Sequence, residues 1–161
     1  MVPSSDLLAS GVSYSFAEWA STPVPKGPPG VYSIWRGDEI LYVGMSWKEP
    51  SPTSAGSSSP GLWGRLNQHA SGRRSGDQFC VYICDRFVLS GLDRRSIAGV
   101  ARGEVSLDLL TRDYVREHLA YRFVTTSTGA EARSLESQVR RAGLGACGRP
   151  LLNPMAASKE T

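Results

Sequence analysis

At 161 residues the chain has the length of one domain, and an apolar content of 40% is enough for an ordinary core. A net charge of +3 is a mild bias toward anionic partners and excludes the heavily basic class of DNA-coating proteins. No apolar run approaches the ~20 residues of a membrane span and no charged-then-apolar leader opens the chain; Cys80, Cys84 and Cys147 lack metal-type spacing, so a cytoplasmic protein in a reducing compartment, without a membrane partner, is expected.

In chain order, residues 1–26 read as an N-terminal extension, with a short helix over Ser13 to Ala20 and a proline-stiffened lead from Thr22 to Gly30. A domain over 27–155 follows, and 156–161 form a tail. Val31 to Arg36 and Glu39 to Gly44 are β-rich runs flanking Gly37-Asp38, a hairpin signal. The Ser/Pro/Gly-rich stretch 46–60 reads as a flexible loop. Ser59-Pro60 caps a helix running from Gly61 to about Ser71. Residues 71–119 read as a mostly helical insertion. Within it Asp77 caps a helix to Leu89, although Phe79, Val81 and Ile83 also alternate as in a strand; helix is preferred.

Leu107 to Leu119 is a further helix and Tyr121 to Thr126 a strand. The last helix, Glu131 to Ala142, has the sharpest signals. Thr128-Gly-Ala-Glu131 is a capping box, Gly143 is a natural stop, and Ala132, Leu135, Val139 and Ala142 make its apolar stripe.

Five separated fragments carry the chemistry. Gly30-Val31-Tyr32 opens the first strand and Tyr42-Val43-Gly44 closes the second. Leu62-Trp-Gly-Arg65-Leu-Asn-Gln-His69 lies on the next helix, Glu131-Ala-Arg-Ser-Leu-Glu136 on the last, and Pro150-Leu-Leu-Asn153-Pro154 near the end. In this order the chain resembles the GIY-YIG nuclease family from Gly30 to Asn153, loosely between Ser71 and Tyr121. The resemblance implies an α/β (α+β) domain, a small, mainly antiparallel three-stranded sheet with helices on both sides. It also implies a metal-dependent DNA endonuclease with Tyr32, Tyr42, Arg65, His69 and Glu136 as catalytic residues, and a site role for Asn153.

Under that resemblance Glu136 holds one Mg²⁺ (or Mn²⁺), with water and substrate completing its shell. Arg65 offers a fixed positive fork to phosphoryl charge. His69, one turn later on the same face, positions water or relays a proton. Tyr32 or Tyr42 is the base, although a free phenol has a pKa of about 10. Where the family often has lysine after the second tripeptide, this chain has Met45, with Lys48 the nearest substitute. Arg73, Arg74, Lys48, Arg140 and Asn153 are the expected nucleic-acid contacts.

Hairpin register supplies a geometric expectation. A two-residue turn pairs Arg36 with Glu39 and sends Tyr32 and Tyr42 to opposite faces. A three-residue loop, Arg36 to Asp38, sets the tyrosines directly across from each other. A shared site requires the second register or an equivalent bulge, so an odd-length loop is expected.

Blander roles exist for each residue. Glu136 and Arg140 suit a helical i,i+4 pair worth roughly 0.3–0.5 kcal/mol. His69 suits a helix-end cation, Asn153 a turn before Pro154, and Trp47 and Trp63 ordinary packing rather than base stacking. The ordered set of fragments favours the nuclease, of restriction or DNA-repair type, with a homodimer as the expected assembly for cutting both strands. The alternative is a GIY-YIG-like nucleic-acid-binding module without catalysis.

Overall fold

The computed structural model describes residues 4–47 and 61–154. Lys48, most of the 46–60 loop and the Ser59-Pro60 helix start lie outside the described residues, as does the 156–161 tail.

The chain runs α1 (Ser4–Ser10), β1 (Tyr14–Ser15), a 3₁₀ turn (Phe16–Ser21), β2 (Gly30–Arg36), β3 (Glu39–Ser46), α2 (Gly61–Ala70) and α3 (Gln78–Ile83). It continues with α4 (Arg94–Ala101), α5 (Leu107–His118), β4 (Ala120–Thr125), α6 (Gly129–Ala142) and a short turn at Gly145–Cys147. The α/β class is as expected, and the sheet is antiparallel with four strands in the order β1-β4-β2-β3. The fourth strand is the Tyr14–Ser15 pair, which bonds to β4.

β2 lies inside the sheet and is buried from Gly30 to Trp35. Its alternate residues feed two apolar layers. Tyr32 and Ile34 face α2, α3 and α5, meeting Leu62, Leu66, Phe79, Ile83 and Val115. Val31 and Trp35 face α1 and α6, meeting Leu8, Ala132 and Val139. Residues 4–26 contribute to both layers through Leu8, Phe16 and Trp19. Tertiary bonds anchor this stretch: Ser33 Oγ donates to the Leu8 carbonyl at 2.8 Å, and Trp19 Nε1 donates to Asn67 Oδ1 at 2.8 Å. A helix over Ser13 to Ala20 is replaced by β1 and the 3₁₀ turn, because Phe16 N bonds to the Leu119 carbonyl beside the sheet.

Asp77 caps α3 as expected, and the helix continues through a π-turn, Cys84–Val88, to Gly91. The Thr128 cap of α6 forms, and Gly143 ends that helix with φ +81°. Ala142 is exposed rather than part of the buried stripe, which runs on to Leu144. Among the described residues no helix is long and apolar enough to cross a membrane.

Candidate active site

Gly37-Asp38 is a two-residue turn with Arg36 paired to Glu39, so the expected odd-length loop is absent. The register is corrected farther down the hairpin. Trp35 pairs with Ile40 but Ile34 pairs with Tyr42, leaving Leu41 as a bulge. One extra residue flips the face of everything beyond it. Tyr42 therefore joins Tyr32 on one face, diagonally rather than directly opposite, with ring centroids 6.5 Å apart.

The position opposite Tyr32 is Gly44. A Cβ there would collide with the Tyr32 hydroxyl, so glycine lets the phenol cross the strand. Gly30 likewise lies too close to the Val124 carbonyl and the Leu62 side chain for a Cβ. Both tripeptide glycines are thus space requirements.

Behind Gly44 the phenol enters a buried polar chain. Tyr32 Oη lies 2.7 Å from His69 Nε2, and His69 Nδ1 lies 2.7 Å from Asp77 Oδ2. All three residues are essentially sealed from solvent. His69 sits in the last turn of α2 among the rings of Tyr32, Tyr42 and Phe79, with centroids 4.6–5.9 Å away. It is a core histidine, not an exposed helix-end cation. Burial pulls its pKa below the ordinary value although Asp77 pulls upward, so the ring is neutral at pH 7. Burial opposes charge on Asp77 too, but the hydrogen bond from His69, joined by its positive charge once acid protonates the ring, wins and holds the carboxyl below its usual range. Burial lifts the Tyr32 phenol well above 10, with the Tyr42 phenol adding and Arg65 opposing.

Asp77 is the site residue that sequence reasoning assigned only as a helix cap. It does cap: Oδ1 accepts from Phe79 N–H at 3.1 Å. Its second oxygen reaches His69 because the Gly72–Gly76 turn folds α3 back against α2, with positive φ at both glycines. An Asp eight residues after a His, across two turn-forming glycines, was the available signal.

Tyr42 is half-buried, against the rings of Tyr32, His69 and Phe79. It lies on the edge strand β3, and burial raises its pKa, an effect Arg65 and Arg140 oppose and Asp77 and Glu136 reinforce. Arg65, on α2, lies beside the Tyr32 phenol and donates to Gln68 Oε1 at 3.0 Å. Glu136 comes from α6 on the other face, with its side chain 14% exposed.

The expected nucleic-acid contacts fall into different settings. Arg73 is exposed. Arg74 pairs with Asp108 at 2.8 Å. Arg140 bonds Glu136 Oε1 at 3.3 Å and donates to the Pro154 carbonyl at 2.8 Å, so it closes one side of the carboxylate. The Asn153 amide clamps the β3 edge, accepting from Val43 N–H and donating to the Val43 carbonyl, both at 2.8 Å. Leu151 and Leu152 extend that pairing to Ile40 and Leu41. Trp47 is 49% exposed, and the Arg133 guanidinium stacks over it 3.7 Å from the ring centre. Trp63 packs against the core, with Lys26 over its ring.

Two groups of side chains bear on metal binding. Glu136, on α6 with its side chain 14% exposed and one oxygen bonded by Arg140, offers a single hard oxygen donor, which would suit an ion held mostly by water and substrate, as Mg²⁺ is. His69, Asp77 and Cys80 have ligand atoms within 4.8 Å of one another. They do not fit a metal. Both imidazole nitrogens serve Tyr32 and Asp77, and the Cys80 thiol bonds Asp77 at 3.3 Å, so the donor atoms are already committed to one another.

Comparison with family models finds no match, and comparisons with curated proteins and with solved structures find none either.

Proposed function

We propose that the protein is a metal-dependent endonuclease that hydrolyses DNA phosphodiesters at the edge of β3. The observation carrying this reading is the pair of phenols on one face of the hairpin, Tyr32 and Tyr42 with ring centroids 6.5 Å apart, beside the buried Tyr32–His69 hydrogen bond.

In this reading the Arg65 guanidinium binds the scissile phosphate and offsets the charge that grows on its oxygens. Glu136 would hold Mg²⁺ or Mn²⁺, which when bound supplies positive charge to the phosphoryl and leaving oxygens. Tyr42, the phenol open to solvent, hydrogen-bonds the substrate. Tyr32 takes the proton of the attacking water and passes its own to neutral His69. The phosphorus gains the water oxygen and releases the 3′ oxygen. Tyr32 is sealed in the free protein, so this step requires substrate binding to open the phenol oxygen to water.

The test is incubation of purified protein with supercoiled plasmid and Mg²⁺ or Mn²⁺, beside Glu136→Ala. Nicking lost in the variant supports the reading. Nicking that survives it sinks the assignment of Glu136. The Arg140 bond on that carboxylate and Met45 in the usual lysine position favour a second reading, a binding module without catalysis. A mobility shift with no nicking would select it. Mapping cuts on a panel of duplexes, junctions and flaps separates restriction from repair.

A further inference from the structure

We propose that Asp77 is a positioning residue that sets the direction of the Tyr32–His69 hydrogen bond, making Tyr32 a donor and His69 the acceptor of its proton. The inference rests on the nuclease reading for its consequence, but not for its geometry.

The carboxylate collects three donors. His69 Nδ1 lies 2.7 Å from Oδ2, the Cys80 thiol 3.3 Å from the same oxygen, and Phe79 N–H 3.1 Å from Oδ1. An ionised carboxylate only accepts, so the proton shared with His69 resides on Nδ1. Only one proton is available to a neutral imidazole, and burial keeps this one neutral. Nε2 is then a bare lone pair, and the phenol 2.7 Å away has to donate to it. The chain therefore runs one way, from Tyr32 through His69 to Asp77. The phenol oxygen is left to accept on its other side, where Arg65 lies as a hydrogen-bond partner.

That polarity is what a buried base needs. As the attacking water gives a proton to the Tyr32 oxygen, the phenolic proton moves to His69 Nε2. The imidazolium that results is stabilised by the Asp77 carboxylate, and the hydroxide oxygen bonds to phosphorus as the 3′ oxygen leaves. The chain gains one proton, the water's, held as the His69 imidazolium until it is given up to the leaving 3′ oxygen or to solvent. Without Asp77 the opposite tautomer places N–H against the phenol, the phenol turns acceptor, and its own proton points back at the substrate. An Asp behind a catalytic His fixes its tautomer in this way in serine proteases, where the amide replacement costs about 10⁴ in turnover.

The experiment uses the full chain with ¹⁵N-labelled histidine. There are two histidines, and exposed His118 serves as the internal reference. Wild type is expected to show His69 as the Nδ1–H tautomer, and Asp77→Asn to show Nε2–H. The asparagine keeps an oxygen for the Phe79 N–H cap, and thermal unfolding checks the fold. Plasmid nicking is measured in parallel, with kcat expected to fall more than 100-fold in Asp77→Asn at little change in KM. An Nε2–H tautomer in wild type overturns the proposal without needing any variant. So does nicking by Asp77→Asn at the wild-type rate. If wild type does not nick, the nuclease reading falls, and the wild-type tautomer still decides the role of Asp77.

Discussion

Tyr32 and Gly44 face each other across the β2–β3 pair, and the Tyr32 hydroxyl occupies the space a side chain at 44 would need. Because that hydroxyl is also held by His69, it cannot swing aside freely. Gly44→Ala is expected to push the phenol off His69 and to cost about 1–3 kcal/mol by overpacking. Urea unfolding measures the stability, and plasmid nicking should fall with it. A variant with wild-type stability and rate would mean the phenol has room that the geometry denies.

Glu136 and Arg65 are predicted to separate activity from stability. Glu136→Ala removes a partly exposed pair with Arg140 and should change stability by under about 1 kcal/mol. Its nicking rate should drop at least about 100-fold, as for loss of a transition-state contact. Arg65→Lys keeps the charge but not the planar fork and should recover little of the activity lost in Arg65→Ala. Full recovery by lysine would show that charge alone is needed.

Asn153 acts on the site through the backbone. Its amide satisfies both edge groups of Val43, one residue from Tyr42. Asn153→Ala leaves a donor and an acceptor unpaired in a partly buried setting, a loss of roughly 1–3 kcal/mol. Hydrogen exchange at Val43 should accelerate in this variant. Unchanged protection there would rule out the clamp. A direct DNA contact would instead weaken binding and leave exchange alone.

Stability should fall at both ends of the pH scale. Folded His69 and Asp77 both have depressed pKa values, so on acidification the unfolded chain binds more protons. The loss begins as pH drops below about 6.5, the ordinary histidine value, and deepens through the carboxylate range. Tyr32 is shifted upward, so above about pH 10 the unfolded phenol ionises first and stability falls again. Melting midpoints across pH check this, with Tyr32→Phe expected to flatten the alkaline limb. A level profile between pH 7 and 5 would contradict a buried neutral His69.

Local forces were readable in the sequence because they act over a few residues. The Thr128–Glu131 cap, the Gly143 stop, the Asp77 cap and the Gly37-Asp38 hairpin turn each depend on neighbours in the chain, and each is present in the fold. The site's raw materials, Tyr32, Tyr42, Arg65, His69 and Glu136, were legible as residue types in a particular order.

Their relations were decided by tertiary structure. A bulge at Leu41, not the length of the turn, put the two phenols on one face, and no residue in the hairpin marks where an extra residue will be absorbed. For His69 the sequence leaves a helix-end cation as the alternative to a catalytic role, until Phe79 and Tyr42 pack around it and exclude water. Asp77 looks like a cap until the turn brings it to an imidazole. Asn153 looks like a turn residue until its amide meets a strand 110 positions away. The physical reason is common to all four. Caps and periodicities are set by bonds within one element, whereas protonation state, burial and register depend on which distant groups close the space around a side chain.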